Sequence, residues 1–231
     1  MWDKGQGDPG VNRGSYRAVL RADACEAEVA DAFMECRASM ENAKRERKVL
    51  TASLYRYGGF LFLYTEGAGE AVNPAELLSP LCKFLQLWPA GVEAPDTARQ
   101  WVYMQPYFYH AVPGRAEDWM EHRTPCRRRG RIALLTPGKW EEYMAHHFFL
   151  MREGLIEGDR YHFISVHENV LFSYFEEPKT ITNLQGKSGC RSTALDSWMK
   201  TDPESHFMRF APGQGAGPEQ NFVFLPCCAS V

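Results

Sequence analysis

Apolar residues recur along the chain at two spacings, one typical of helices and one typical of strands. Between residues 24 and 43, Val29, Phe33, Cys36 and Met40 follow steps of four, three and four, which place them on one face of a helix. Shorter β-rich runs predict strands at residues 15–21, 49–55, 60–66 and 100–110. Tyr57-Gly58-Gly59 predicts a hairpin, and residues 73–76 predict a capped helix start. The first half therefore reads β-α-β-β-α-β.

The second half of the chain repeats this order. Adding 111 to positions 29, 33, 36 and 40 gives the apolar stripe Trp140, Met144, His147 and Met151, which follows a predicted strand at residues 131–135. The third strands also match, since residues 61–66 correspond to residues 171–176 at an offset of 171 − 61 = 110. A further helix is predicted at residues 192–201 and a last strand at residues 221–225.

Two β-α-β-β-α-β repeats predict an α+β fold of tandem ferredoxin-like units with antiparallel sheets. We expect the two sheets to pack face to face as an α+β barrel within one chain; pairing of each half with another chain is the alternative. The chain would be a monomer with an internal pseudo-dimer, or a homodimer. The predicted segments are a flexible arm at residues 1–14, repeats at residues 15–112 and 131–231, and a linker at residues 113–130.

Charge and cysteine content exclude several partners. The net charge is −3, with 26 basic and 29 acidic residues, so no strong single-sign field predicts binding to nucleic acid or to an anionic membrane. No apolar run approaches the roughly 20 residues that span a bilayer. The seven cysteines include no Cys-x-x-Cys pair, which favours reduced thiols in a cytoplasmic protein.

Tyr143 and His147 are the candidate catalytic residues. They are four positions apart on the predicted helix and so share a face, where a phenol and an imidazole could exchange protons. The alternative is structural, with Tyr143 at the helix border and His147 completing the apolar stripe. Tyr161 opens the next strand and could reach the same pocket, or it could be an ordinary cross-strand aromatic residue.

No metal and no cofactor are predicted. His146 points about 100° away from His147 on a helix, which favours a solvent-facing side chain. His162 and His167 are five positions apart on a strand and so lie on opposite faces. The acids Glu141 and Glu142 fit the first turn of the helix, where they would stabilise its dipole.

Residues 131–226 resemble L-rhamnose mutarotase. The residues that carry the resemblance are Pro137-Gly138, Glu142-Tyr143 with His147, Tyr161, the run NVLFSYFE at 169–176, Trp198-Met199 and the run FVFLP at 222–226. The family's segment Ile-Trp-Pro-Glu after the histidine is replaced by Phe148-Phe149-Leu150-Met151, and Ser197 precedes Trp198 where the family has a second tryptophan. The first half has Ala32 and Cys36 at the positions of the candidate pair.

The resemblance implies a carbohydrate mutarotase, an isomerase of the aldose 1-epimerase type. It assigns Tyr143 and His147 as an acid-base pair and Tyr161 and Trp198 as groups that bind a monosaccharide. The sequence leaves two alternatives open. One is a haem-dependent or cofactor-independent oxygenase of the tandem α+β barrel type, with His110 or His167 as a possible haem ligand. The other is a non-catalytic module that binds a small molecule.

Overall fold

The computed structural model describes residues 10–89, 98–121, 123–184, 189, 191–216 and 220–231. The α-helices are α1 Glu26–Arg45, α2 Pro74–Leu77, α3 Ala116–Glu121, α4 Trp140–Glu153 and α5 Thr193–Lys200, with 3₁₀ helices at Ser79–Phe84 and Pro203–His206. The strands are β1 Val11–Val19, β2 Val49–Tyr57, β3 Phe60–Ala68, β4 Val102–Tyr103, β5 Gln105–Tyr109, β6 Arg128–Leu135, β7 Ile156–Gly158, β8 Phe163–His167, β9 Val170–Glu176, β10 Ile181–Asn183, β11 Phe207–Met208, β12 Phe222–Leu225 and β13 Cys227–Ser230. Among the described helices, none combines the length and apolar character that a membrane crossing requires.

The chain forms two compact units, and each is built around an antiparallel sheet. The first unit comprises Met1–Tyr103, Pro113–Pro125 and Pro226–Val231, and the second comprises Met104–Val112 and Cys126–Leu225. The predicted fold class is confirmed, because the chain is α+β and consists of two tandem ferredoxin-like units with antiparallel sheets.

In the first unit the strand order is β13-β2-β3-β1-β4. The predicted hairpin joins β2 to β3, and Gly58 has the positive φ of 56° that its turn requires. Helix α1 buries Val29, Ala32, Cys36 and Met40 against one face of the sheet, close to the predicted stripe. Phe33 is only partly buried, because the buried face of α1 includes Ala32 in its place.

The other face of the first sheet carries a buried ionic network around Glu66. Glu66 is fully buried and accepts hydrogen bonds from Tyr64 Oη at 2.6 Å, Trp119 Nε1 at 3.0 Å and Arg123 Nη1 at 2.6 Å. Trp119 lies on α3, within the linker predicted at residues 113–130. This segment is ordered because its indole and guanidinium groups satisfy a buried carboxylate.

In the second unit the strand order is β11-β6-β9-β8-β5, and β12 also pairs with β6. Tyr174 donates to Glu176 at 2.6 Å, just as Tyr64 donates to Glu66, so the predicted offset of 110 also relates these pairs. Helix α5 begins where the sequence predicts, since Ser192 caps it by accepting a hydrogen bond from the amide of Leu195 at 2.9 Å.

Three details differ from the sequence expectations. The run at residues 100–110 is not one strand: β4 pairs with β1 in the first unit, whereas β5 pairs with β8 in the second. The C-terminal strand β13 pairs with β2 of the first unit, although it follows the second repeat in sequence. Residues 11–14 of the predicted arm belong to β1, where Val11 pairs with Ala68; residues 1–9 lie outside the described residues.

Candidate functional site

A cavity of about 280 Å³ lies in the second unit, between its sheet and the elements that cover it. Arg131 on β6 pairs with Ser173 on β9, which pairs with Ile164 on β8, so these three side chains form one row across the sheet. The cavity is lined by Arg131, Ala133, Tyr143, Ile164, Leu171, Ser173, Glu204, Phe207, Asn221 and Phe222. Its walls are therefore largely apolar, with a few polar groups.

Helix α4 brings Tyr143 to this cavity. The helix carries Glu141 and Glu142 in its first turn. Gly154 follows its last residue, and its φ of 62° is the left-handed backbone conformation that commonly ends an α-helix. Tyr143 is 5% exposed, whereas Trp140 is 44% exposed, so the buried face of α4 is rotated relative to the predicted stripe. The structural alternative placed Tyr143 at the helix border, whereas the structure buries Tyr143 and exposes Trp140.

The Tyr143 hydroxyl is protonated at neutral pH. Burial raises the pKa of Tyr143 to about 12, while the adjacent Tyr107 and the charge of Arg131 act in the opposite direction. The rings of Tyr143 and Tyr107 lie 5.8 Å apart, and burial raises the pKa of Tyr107 as well. Both phenols are therefore protonated near neutral pH, and Tyr143 can donate a hydrogen bond into the cavity.

Two cations lie close together in this unit. Burial lowers the pKa of Arg131, whose guanidinium lies 5.1 Å from the Phe222 ring centroid. Burial also lowers the pKa of Lys179 to about 8, and repulsion by Arg131 adds to this effect. The Lys179 ammonium lies 5.2 Å from the Phe175 ring centroid. Among the described residues, no carboxylate forms an ion pair with Arg131. Glu204 also lines the cavity, and the nearby charge of Asp159 favours the protonated form of Lys179.

His147 lies in an aromatic cluster beside Tyr143. The ring centroids of His147 and Tyr143 are 4.3 Å apart, and those of Tyr107, Phe108 and Trp198 lie 5.6, 5.2 and 5.1 Å from His147. Burial lowers the pKa of His147 to about 4, although a hydrogen bond of 3.0 Å between Nδ1 and the Tyr143 carbonyl favours the charged form. The imidazole is thus neutral near pH 7, with Nδ1 as donor and Nε2 as acceptor.

The structure brings three of the four predicted site residues together. Tyr143, His147 and Trp198 are mutual neighbours, since the Trp198 ring lies 5.5 Å from that of Tyr143. Of these, only Tyr143 is among the residues that line the cavity, and Tyr161 is not among them either. Tyr161 lies in the turn before β8, which begins at Phe163. The catalytic roles of Tyr143 and His147 stay a prediction.

Sequence reasoning missed Arg131, Lys179 and Tyr107. The alternation of side chains along β6 could have indicated that Arg131 faces the interior, because Arg131 shares its face with Ala133 and the buried Leu135. No comparable signal marked Tyr107, whose ring contacts those of Tyr143 and His147 only because β5 belongs to the second unit. Lys179 follows the end of β9, and its closeness to Arg131 depends on the path of that loop.

The two histidines considered as haem ligands do not face this cavity. An added Cβ on Gly158 would lie 2.3 Å from His110 Nε2, so this nitrogen faces backbone rather than an open site. His167 lies on the sheet face opposite Ile164, by the two-residue period of β8. Ile164 lines the cavity, so neither histidine offers a ligand nitrogen to it.

Comparisons with known proteins give a limited likeness. No protein family and no curated protein matches the sequence. The chain is similar to solved structures of a proposed monooxygenase from Fusobacterium nucleatum (7% identity, TM-score 0.41, 96% of this chain and 94% of that chain) and one from Lactobacillus acidophilus (6%, 0.44, 96% and 96%). A variant chlorite dismutase from Candidatus Nitrospira defluvii also matches (11%, 0.34, 94% and 91%). TM-scores below 0.5 carry no functional argument.

The resemblance to L-rhamnose mutarotase is wrong. The solved structures that match are described as monooxygenases and chlorite dismutases, and no mutarotase family matches the sequence. The residues that suggested the resemblance have a simpler explanation. Residues four positions apart share a face of any helix, so the spacing of Tyr143 and His147 is not specific to a mutarotase, and Tyr161 is not among the residues that line the cavity.

Proposed function

We propose that the second unit binds a small organic anion with a flat apolar body in the cavity beside Tyr143. The observation that supports this most strongly is that the guanidinium of Arg131 lines the cavity, has its pKa lowered by burial and forms no ion pair among the described residues. A charge that is removed from water without a partner is costly, and proteins normally pair such groups. An anion in the cavity would supply the missing partner.

The cavity also suits the rest of such a ligand. Ile164, Leu171 and Phe222 provide apolar walls, and the volume of about 280 Å³ is near the lower end of the range for small-molecule sites, roughly 300–1,000 Å³. The hydroxyls of Tyr143 and Ser173 can donate to an anionic oxygen. These features favour a single-ring carboxylate or phenolate over a nucleotide or a larger cofactor.

The test is a comparison of matched charged and neutral ligands by isothermal titration calorimetry. Benzoate and benzamide have nearly the same shape, but only benzoate carries a charge. We expect benzoate, salicylate and related anions to bind more tightly than their neutral analogues, and the preference to shrink as salt or pH rises, because Lys179 loses its proton near pH 8. The proposal is refuted if benzoate and benzamide bind equally tightly, or if no ligand of either class binds.

A second candidate function is an oxygenase that needs no bound cofactor. The observation that favours it is that Arg131 and the protonated Tyr143 face the same cavity, where they would stabilise an ionised phenol or enol. Such an anion is electron-rich and can reduce dioxygen directly. A ring CH₂ group would be oxidised to C=O, with one oxygen atom retained in the product and the other released with the two hydrogens as water.

In this reaction the protein would hold the anion and donate hydrogen bonds to its oxygen. Two groups could accept a proton from the substrate: the carboxylate of Glu204, which lines the cavity, and the neutral His147, whose ring lies beside Tyr143. Oxygen consumption with cyclohexane-1,3-dione, a single-ring ionisable enol with a ring CH₂ group between its two carbonyls, tests this candidate. Ligand binding without oxygen uptake above the rate in buffer would leave the binding function standing and eliminate the oxygenase.

A further inference from the structure

Glu142, His146 and His206 form a cluster of potential ligand atoms in the second unit. One nitrogen or oxygen atom from each lies within 4.8 Å of the others. Glu142 and His146 are four positions apart on α4 and therefore project from the same face, one turn apart. His206 approaches them from the end of the 3₁₀ helix Pro203–His206. Two protein segments thus converge on one point.

His206 is held in a fixed orientation. Its ring is fully buried and stacked on Trp198, with centroids 4.9 Å apart and planes inclined by 27°. Nδ1 lies 3.2 Å from the carbonyl oxygen of Pro203, and Nδ1–H donates to it in the neutral imidazole. This leaves Nε2 as an acceptor, buried and without a hydrogen-bond partner among the described residues. It points towards Glu142, whose Oε2 lies 3.5 Å away.

This arrangement is typical of a histidine that binds a metal. Such a histidine usually donates its second ring N–H to a backbone carbonyl or carboxylate, which fixes the tautomer and the ring plane. Ligand atoms about 2.0–2.1 Å from a tetrahedral zinc ion are about 3.3 Å apart. The distance between Glu142 and His206 already approaches this value, and the other atoms need to move by little more than 1 Å.

His146 and Glu142 have contacts that a metal ion would replace. His146 Nε2 lies 3.4 Å from Thr201 Oγ1, a long and weak hydrogen bond. The Lys139 ammonium lies 2.7 Å from Glu142 Oε2 and so competes with a cation for this carboxylate. Both side chains are only half-buried, so each can adjust its position.

We propose that Glu142, His146 and His206 bind a divalent transition-metal ion such as Zn²⁺ or Co²⁺, with at least one coordination position open. Two imidazoles and a carboxylate are suited to zinc, cobalt, nickel or ferrous iron, whereas calcium and magnesium prefer oxygen ligands. The site shares no residue with the lining of the anion cavity, although Tyr143 lies between its two ligands on α4. The sequence expectations that Glu142 is purely structural and that His146 faces solvent miss this convergence.

The test uses full-length protein that has been stripped with a chelator and titrated with Zn²⁺ by calorimetry and with Co²⁺ by absorption spectroscopy. We expect one equivalent to bind, and Glu142→Gln and His146→Gln to weaken binding by at least about 100-fold. Glu141→Gln is the matched control, since Glu141 is the exposed neighbour, and it should bind like the unsubstituted chain. Lys139→Met should bind more tightly, because it removes the competing ammonium group.

Substitution of Glu142 or His146, which are half-buried, leaves the buried His206 in place. Absence of binding at micromolar Zn²⁺ and Co²⁺ would refute the site and leave an ion pair between Glu142 and Lys139. Binding that Glu142→Gln and His146→Gln do not weaken would also refute it. A sulfur-to-cobalt charge-transfer band would assign the metal to cysteine thiolates instead and equally overturn the proposal.

Discussion

The low pKa of Lys179 predicts that replacing this lysine with an uncharged residue stabilises the protein. The pKa of Lys179 falls from 10.5 to about 8, and each tenfold change in proton affinity corresponds to about 1.36 kcal/mol. The charged lysine therefore costs the folded state up to about 3 kcal/mol near pH 7. Lys179→Met keeps an unbranched chain over the Phe175 ring and removes the charge, so we expect its free energy of unfolding to be higher by up to this amount.

The pH dependence provides the sharper part of this prediction. Between pH 8 and 10.5 the unfolded chain keeps the proton on Lys179 while the folded chain has lost it, so the stability of the unsubstituted protein rises with pH in this window. The advantage of Lys179→Met should be full below about pH 8 and vanish near pH 10.5. Other titrating groups are common to both proteins and cancel in the difference.

Urea denaturation at pH 7, 8, 9 and 10, followed by circular dichroism, measures this difference. Lys200→Met is the matched control, because Lys200 is exposed on α5 of the same unit and should show no such trend. A Lys179→Met protein that is less stable than the unsubstituted chain at pH 7 would contradict the reasoning. A stability difference that does not change with pH would contradict it as well.

Three further substitutions test the packing and the cavity. Glu66→Gln leaves the buried Arg123 without its carboxylate and should lower the free energy of unfolding by about 3–5 kcal/mol in urea denaturation; a loss below 1 kcal/mol would show that the network contributes little. Tyr143→Phe keeps the ring and should weaken benzoate binding by about 2- to 10-fold in calorimetry, and unchanged affinity would exclude a hydrogen bond from this hydroxyl. Gly158→Ala places a methyl group against the His110 ring and should cost about 1–3 kcal/mol; unchanged thermal stability would mean that the ring can move away.

Much of the fold could be predicted because local patterns agree with it. The steps of four and three around Cys36 and Met40, the glycines at the β2–β3 turn and the polar cap at Ser192 each specify a local structure that the fold retains. The repeat was visible because equivalent residues, such as Tyr64 and Tyr174, occupy equivalent places in the two sheets.

Strand partners could not be predicted in the same way. The run around Tyr107 has a strand pattern, but the pattern does not specify which sheet the strand joins. The strand Cys227–Ser230 is short and lacks clear alternation, and it is placed by its ladder with β2 and by the hydrogen bond between Ser230 and Ser53 at 2.8 Å. Both placements depend on contacts between residues far apart in sequence.

The candidate site was only partly predictable for the same reason. Tyr143 and His147 could be identified because their spacing on one helix is a local property. The closeness of two cations is not a local property, since it requires Arg131 on β6 and Lys179 after β9 to come together. The convergence of His206 on Glu142 likewise joins a 3₁₀ helix to α4, which no spacing in the sequence reveals.

The most direct test of the anion site is the affinity of benzoate for Arg131→Met, with Arg152→Met as the control. Arg131 faces the cavity, whereas Arg152 is exposed on α4 of the same unit. A hydrogen bond to a charged group contributes about 1.5–3 kcal/mol, so we expect Arg131→Met to weaken binding by about 10- to 150-fold and Arg152→Met to leave it unchanged. Equal loss in both variants, or full affinity in Arg131→Met, would contradict the account.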